Sequence, residues 1–453
     1  MSARAGSARW LAAALVVAGC GWLGWAAVRT WRASADLAAA QTLALNQGTG
    51  ADSYLNRAAA YRPDRSEAWR LLAEFSAFAH PHRALRYARR SVAVDPLDWR
   101  NWDQSGLIEF RLNQPAAARR ALSQAVRDDS GWRAHFQLGN LALLLGDRTE
   151  FWAQMRAALS VVVAWEAEPL LQEAVHVAAD HPSNFLEALP PARADVDARA
   201  VRLLIRSGRP LEAGAVWRHM QCQSYQRADC RSAVLALTNG LMEAVYRAAA
   251  VPVAPHAEVE AQRLEQPVRA SAARLVSAAL GAWNQGVQRQ VLKGDELQAG
   301  VVSDGSFAHD WVGPAFAWAK AGPVYLDREP GIAPEGNAVR IGFDGYEPED
   351  TGLFQQLVAV IPGADYEVSY WARREGDGSQ TGVRLQVLAS PGEVLLQLPA
   401  RLGTDWQVSR AVFRVPRGAR VVLLVFLYQR PEGQVRLANP VMLANVRLVG
   451  VNP

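Results

Sequence analysis

At 453 residues the chain is too long for one hydrophobic core, so two or three domains are expected. Half of the residues are hydrophobic and a fifth are charged, which is the balance of folded rather than disordered protein. A net charge of +4 with no Lys/Arg run gives no electrostatic case for nucleic acid, and three cysteines are too few for a disulfide scaffold.

Residues 10–28 (WLAAALVVAGCGWLGWAAV) carry no charge. As a helix they span about 28 Å, close to the hydrocarbon thickness of a bilayer. Arg4 and Arg9 precede the stretch, Arg29 and Arg32 follow it, and Trp10, Trp25 and Trp31 stand near its ends. This predicts an N-terminal transmembrane helix within residues 1–32. The protein would then be single-pass in a bacterial inner membrane, with its bulk in the periplasm. A second reading stays open. Val17-Ala18-Gly19-Cys20 fits the lipobox of bacterial lipoproteins, which would make Cys20 a lipidation site.

From residue 33 to about 160 the pattern is helical and periodic. Gly106 and Gly139 are thirty-three positions apart, as are Trp99 and Trp132, Leu122 and Met155, and Ala125 and Ala158. Turn residues punctuate the units at Pro63-Asp64 and Asp95-Pro96. The period and its small residues resemble the tetratricopeptide repeat, an α-solenoid of antiparallel helical hairpins. That resemblance implies a groove for a protein partner. The tryptophans, Trp69, Trp99, Trp102, Trp132 and Trp152, are read as packing between helices. Residues 161–290 stay helical without the clean period and are read as degenerate repeats, interrupted by Pro190-Pro191 and by residues 251–255. Within them Cys222 and Cys230, eight positions apart, form a disulfide or remain two free thiols.

From residue 291 the composition changes. Runs at 338–343, 352–360, 366–373, 382–389, 393–398, 406–415, 420–428 and 442–449 alternate between Gly, Pro and Asp turns. They predict an antiparallel β-sandwich over 291–453, so the whole chain is multidomain α + β. In residues 365–373 (DYEVSYWAR), Tyr366, Val368 and Tyr370 share one face, and Glu367, Ser369, Trp371 and Arg373 the other.

The run LFQQLVAVIPGADYEVSYWAR resembles the central hairpin of carbohydrate-binding modules with a galactose-binding-like jelly roll. Asp304-Gly305-Ser306-Phe307 with Trp318, then Trp406, and Asn445-Val446-Arg447-Leu448 resemble that family's opening, later and closing strands. The resemblance places Trp318 and Trp406 in the core. It also implies that the sandwich holds a polysaccharide. Glycan-binding modules stack sugar faces on aromatics and bond hydroxyls to polar side chains, which points to Trp371, Arg373 and Glu367, joined by Arg384, Gln386 and Tyr428 on one face. Many such modules hold calcium, but the corresponding positions are Ala308 and Asn445, so no metal is expected. No phosphate loop, nucleophile elbow or dinucleotide motif is present. The expectation is a non-catalytic scaffold without cofactor. It binds a protein partner through the helices and a glycan through the sandwich, in surface-polysaccharide assembly or export. A pure protein–protein adaptor is the alternative, and a glycan-active enzyme ranks last.

Overall fold

The computed structural model describes residues 3–451, apart from 46–49, 129–130, 180–181, 223–226, 249–257, 294, 310–315, 344–347, 377–381, 391, 431 and 433–438. The expected break at 251–255 lies outside the described residues. The chain forms two compact units, Met1–Val163 and Ala164–Pro453.

The first unit is built of helices paired with their sequence neighbours: α1 (Ala3–Leu45), α2 (Ala51–Tyr61), α3 (Ser66–Ser76), α4 (Pro81–Val94), α5 (Trp99–Arg111), α6 (Pro115–Asp128), α7 (Trp132–Leu144) and α8 (Arg148–Val161). Local chemistry sets several starts. The Asp98 carboxylate accepts from the Arg100 N–H, the Asp147 carboxylate from the Glu150 N–H, and Pro81 opens α4, where its missing donor costs nothing. The thirty-three-residue period has a physical cause in close helix approach. A Cβ on Gly106 would stand 2.7 Å from Leu122 of α6, and one on Gly139 would stand 3.3 Å from Gln154 of α8. A second repeating feature is a hydrogen bond. The Trp69 indole donates to the Pro63 carbonyl at 3.0 Å, and Trp102, one repeat later, donates to Pro96 at 2.7 Å.

The N-terminal expectation is corrected. No helix among the described residues is long and apolar enough to cross a membrane, so the inner-membrane assignment does not stand. The physical reason lies in α1 itself. The helix does not end with the apolar stretch but runs on through Arg29, Arg32 and Asp36. Its later part then packs as a member of the array, with Leu37 and Ala40 buried against Leu55, Ala58 and Leu72. Cys20 is an exposed free cysteine on this helix.

The second unit begins with α9 (Ala167–Val177), α10 (Pro182–Ala188), α11 (Ala194–Arg206), α12 (Pro210–His219), α13 (Arg227–Ala248) and α14 (Glu258–Gln288). Cys222 and Cys230 are joined in a disulfide with Cα atoms 6.0 Å apart, closing the link from α12 to α13.

A sandwich of two five-stranded antiparallel sheets follows. Its strands are β1 (Ala319–Lys320), β2 (Tyr325–Glu329), β3 (Ala338–Gly342), β4 (Asp350–Ala359), β5 (Asp365–Arg374), β6 (Val383–Ser390), β7 (Glu393–Pro399), β8 (Gln407–Arg414), β9 (Val421–Gln429) and β10 (Val441–Gly450). One sheet runs β1-β4-β9-β6-β7 and the other β2-β3-β10-β5-β8. Phe307, Trp318, Phe354, Tyr370 and Phe426 fill the space between them. Gln356 is also buried there and donates to the carbonyls of Ser303 and Phe316, which ties the segment before β1 to β4.

Helices and sandwich meet within this unit. Trp283 of α14 packs edge-on against Phe316 with ring centroids 5.7 Å apart, and α13 lies along β9 and β6. Leu357, Ala359 and Val421 point away from the sandwich core and are buried as well.

Candidate functional site

The six expected glycan residues do not share a face. Glu367, Trp371 and Arg373 lie on the outer side of β5, in one sheet, whereas Arg384 and Gln386 lie on the outer side of β6, in the other. Strand adjacency is the reason. β5 pairs with β10 and β8, while the next strand in sequence, β6, crosses over to pair with β9 and β7. Tyr428 is a plain correction. It is fully buried, faces inward and stacks edge-on with Phe343 at 5.2 Å.

Around β5, Trp371 is half-buried in a small outer cluster with Ala333, Ala338, Met442, Ala444 and Trp406. Trp406, expected in the core, thus sits on the outside. Its indole donates to the Ile332 carbonyl at 3.3 Å, and the Arg373 guanidinium lies 5.1 Å from its ring centroid. Arg373 also donates to the Met442 sulfur at 3.2 Å. These side chains are largely committed to one another. Glu367 stands between Val412 and Val449, both more than half exposed. This surface is mainly packing.

The other sheet has a different outer surface. Gln355 of β4 pairs in register with Val425 of β9, Val425 with Gln386 of β6, and Gln386 with Gln397 of β7. All three glutamines point outward, because their neighbours Phe354, Leu385 and Leu396 point into the core. The row crosses three strand spacings, about 14 Å. One step along, Arg384 donates to the side-chain oxygen of Gln397 at 3.0 Å and to that of Gln429. That arrangement engages the two carbonyl oxygens and leaves both amide NH₂ groups without a partner among the described residues. Gln355 and Gln386 have no side-chain partner among the described residues, so each offers two donors and an acceptor. Such a strip suits a ligand rich in hydroxyl groups, whose donors and acceptors alternate. Gln355, Gln397 and Gln429 were missed in the sequence. A signal was there: LFQQL, RLQVL and LLQLP each place an amide at an outward position in an otherwise apolar strand.

Beside Ala308, Asp304 spends its carboxylate on two backbone donors, Ala308 at 2.5 Å and His309 at 3.0 Å. Two other carboxyls are held far above the usual range. Burial pushes Asp103 of α5 up to about 7 against the opposing pull of Arg70. Burial, with the Asp195 carboxylate adding to it, does the same to Asp197 of α11. Both lie in helix packing, and neither is on the sandwich.

No protein-family model matches the chain, and no curated protein does. Among solved structures, the helical part is similar to PilF of Pseudomonas aeruginosa, with 20% identity over 46% of this chain and 92% of that one, at a TM-score of 0.30. The sandwich is similar to a CBM4 structure, with 16% identity over 33% of this chain and 99% of that one, at 0.26. It is also similar to the CBM22-1 xylan-binding domain of Paenibacillus barcinonensis Xyn10C, with 13% identity over 35% and 99%, at 0.25. Scores this low carry no functional argument.

Proposed function

We propose that the protein is a non-catalytic scaffold that holds a polysaccharide on its sandwich and a protein partner on its helical array. The observation that supports the glycan half is the in-register amide row Gln355–Gln386–Gln397 with Arg384 beside it. Its length matches about three sugar rings laid across the strands. The hairpin array supports the partner half, since stacked hairpins expose long grooves between helices. A scaffold holding polymer beside machinery fits the assembly or export of a surface polysaccharide.

The test is polysaccharide binding by the intact chain, measured with a panel of bacterial polymers. The double variant Gln386→Ala/Gln397→Ala removes two sets of hydrogen bonds at roughly 1 kcal/mol each, so affinity is expected to fall at least tenfold with Tm unchanged. Trp371→Ala is expected to do the opposite, lowering Tm by opening the outer cluster while leaving polymer affinity alone. A loss of binding confined to Trp371→Ala would overturn the choice of face. Saturation by none of the polymers would favour the second reading, a protein–protein adaptor with a structural sandwich, which the packed state of Trp371 already fits.

A further inference from the structure

The array carries a groove of about 470 Å³ walled by α4 and α6 and floored by α5. Arg89 stands on one wall, and Arg120 and Arg127 on the other. Trp102 and Glu109 lie in the floor, with Val92 of α4 beside them. Arg120 and Arg127 are seven positions apart on one helix, so they share a face and stand about 10 Å apart along the axis. Both are exposed, and neither has a partner among the described residues. The single acid at the site, Glu109, is buried in the floor, with its carboxylate 3.5 Å from Arg89. The groove thus presents unspent positive charge over an apolar and aromatic base. The surrounding segment is similarly biased, with nine arginines against five carboxylates between residues 81 and 128.

We propose that this groove binds an acidic, extended segment of a partner protein, with two carboxylates about three residues apart bracketing apolar side chains. The inference rests on the partner-binding role of the array and names the chemistry of the partner. A peptide in the polyproline II conformation repeats every three residues over about 9 Å, so two carboxylates three apart lie on one side at close to the separation of Arg120 from Arg127. Guanidinium groups take carboxylates in bidentate geometry, and the apolar floor of Val92 and Trp102 receives the side chains between them. That floor favours a peptide over an anionic polysaccharide, which has no aliphatic side chains to bury.

The experiment is fluorescence anisotropy on the full chain with a labelled peptide containing Glu-Leu-Leu-Glu, beside its Gln-Leu-Leu-Gln analogue. The acidic peptide is expected to bind at low salt, to weaken roughly tenfold in high salt, and to lose at least tenfold in affinity in Arg120→Glu/Arg127→Glu. Arg120→Lys/Arg127→Lys keeps the charge but loses the bidentate fork, and is expected to bind more weakly than the parent and more tightly than the Glu variant. Circular dichroism of both variants separates lost affinity from lost fold. Equal binding of the Gln analogue would overturn the charge assignment and leave the array's partner role standing. A polyuronate oligosaccharide displacing the peptide at lower concentration than the unlabelled peptide itself would overturn the choice of occupant. Binding of neither peptide at low salt would overturn the inference and count against the partner role as well.

Discussion

Gly305→Ala is expected to destabilise the sandwich by about 3 kcal/mol or more, a large effect for one methyl group. A Cβ on Gly305 would lie 2.0 Å from the Val446 carbonyl oxygen, which is backbone and has no flexible end to give way. The same two residues are already joined, the Val446 N–H donating to the Gly305 carbonyl at 2.9 Å. On the Val446 side the chain is bulged. β10 shifts register between Ala444 and Arg447, and Asn445 has a φ of 52°. On the other side, two residues on, Phe307 is fully buried, 5.7 Å from Trp318 and 5.9 Å from Phe354, centroid to centroid. Relief of the clash therefore breaks the bond, moves the bulge or lifts Phe307 from the core. Urea unfolding followed by tryptophan fluorescence measures the cost. Gly418→Ala, at a turn where an added Cβ meets nothing within 4 Å, is the near-neutral control. Equal midpoints for the two variants would contradict the account.

The second large effect is pH-dependent. Asp197 is 2% exposed, one of its carboxylate oxygens has no partner, and its pKa is pushed up to about 7. A carboxyl of this kind binds its proton more tightly folded than unfolded. Between pH about 4 and 7 the folded chain holds a proton that the unfolded chain has released, so stability falls as pH rises across that window. Above pH 7 the loss is complete, up to about 4 kcal/mol for a shift of this size. Asp197→Asn removes the charge and keeps the shape. It is expected to raise the stability of the second unit at pH 8 and to leave it nearly unchanged at pH 4. A pH-independent difference between variant and parent would show that the carboxyl does not carry this linkage.

Much of the secondary structure was legible because local chemistry dictates it. The thirty-three-residue spacing of Gly106 and Gly139 marks where hairpin partners touch. All eight strand runs read from alternation are strands. The two missed, β1 and β2, are short, and β2 lies at a sheet edge with little burial to pattern it. The site was far less legible. Alternation tells which residues of a strand share a side but not which sheet the strand joins, so Arg384 and Gln386 were grouped with Trp371 across two sheets. Tyr428 failed for a related reason. β9 reads VVLLVFLYQ because one of its faces meets the sandwich core and α13 packs against part of the other, so nothing in its sequence says which way the tyrosine points. The apolar N-terminal stretch misled because apolar content alone does not separate a span from the opening part of a long helix whose remainder packs in an array.

The covering of β9 and β6 by α13 also governs how the protein can be divided. A chain cut at residue 290 gives a sandwich with all ten strands, but one that has lost the partner of Phe316 and the helix packed against β9 and β6. The surface so uncovered on β9 and β6, with Phe316, forms an apolar patch, and such patches seek one another. The excised sandwich is therefore expected to self-associate and to bury the patch in a dimer or larger aggregate. A fragment beginning at Ala164 keeps the cover and is expected to run as a monomer.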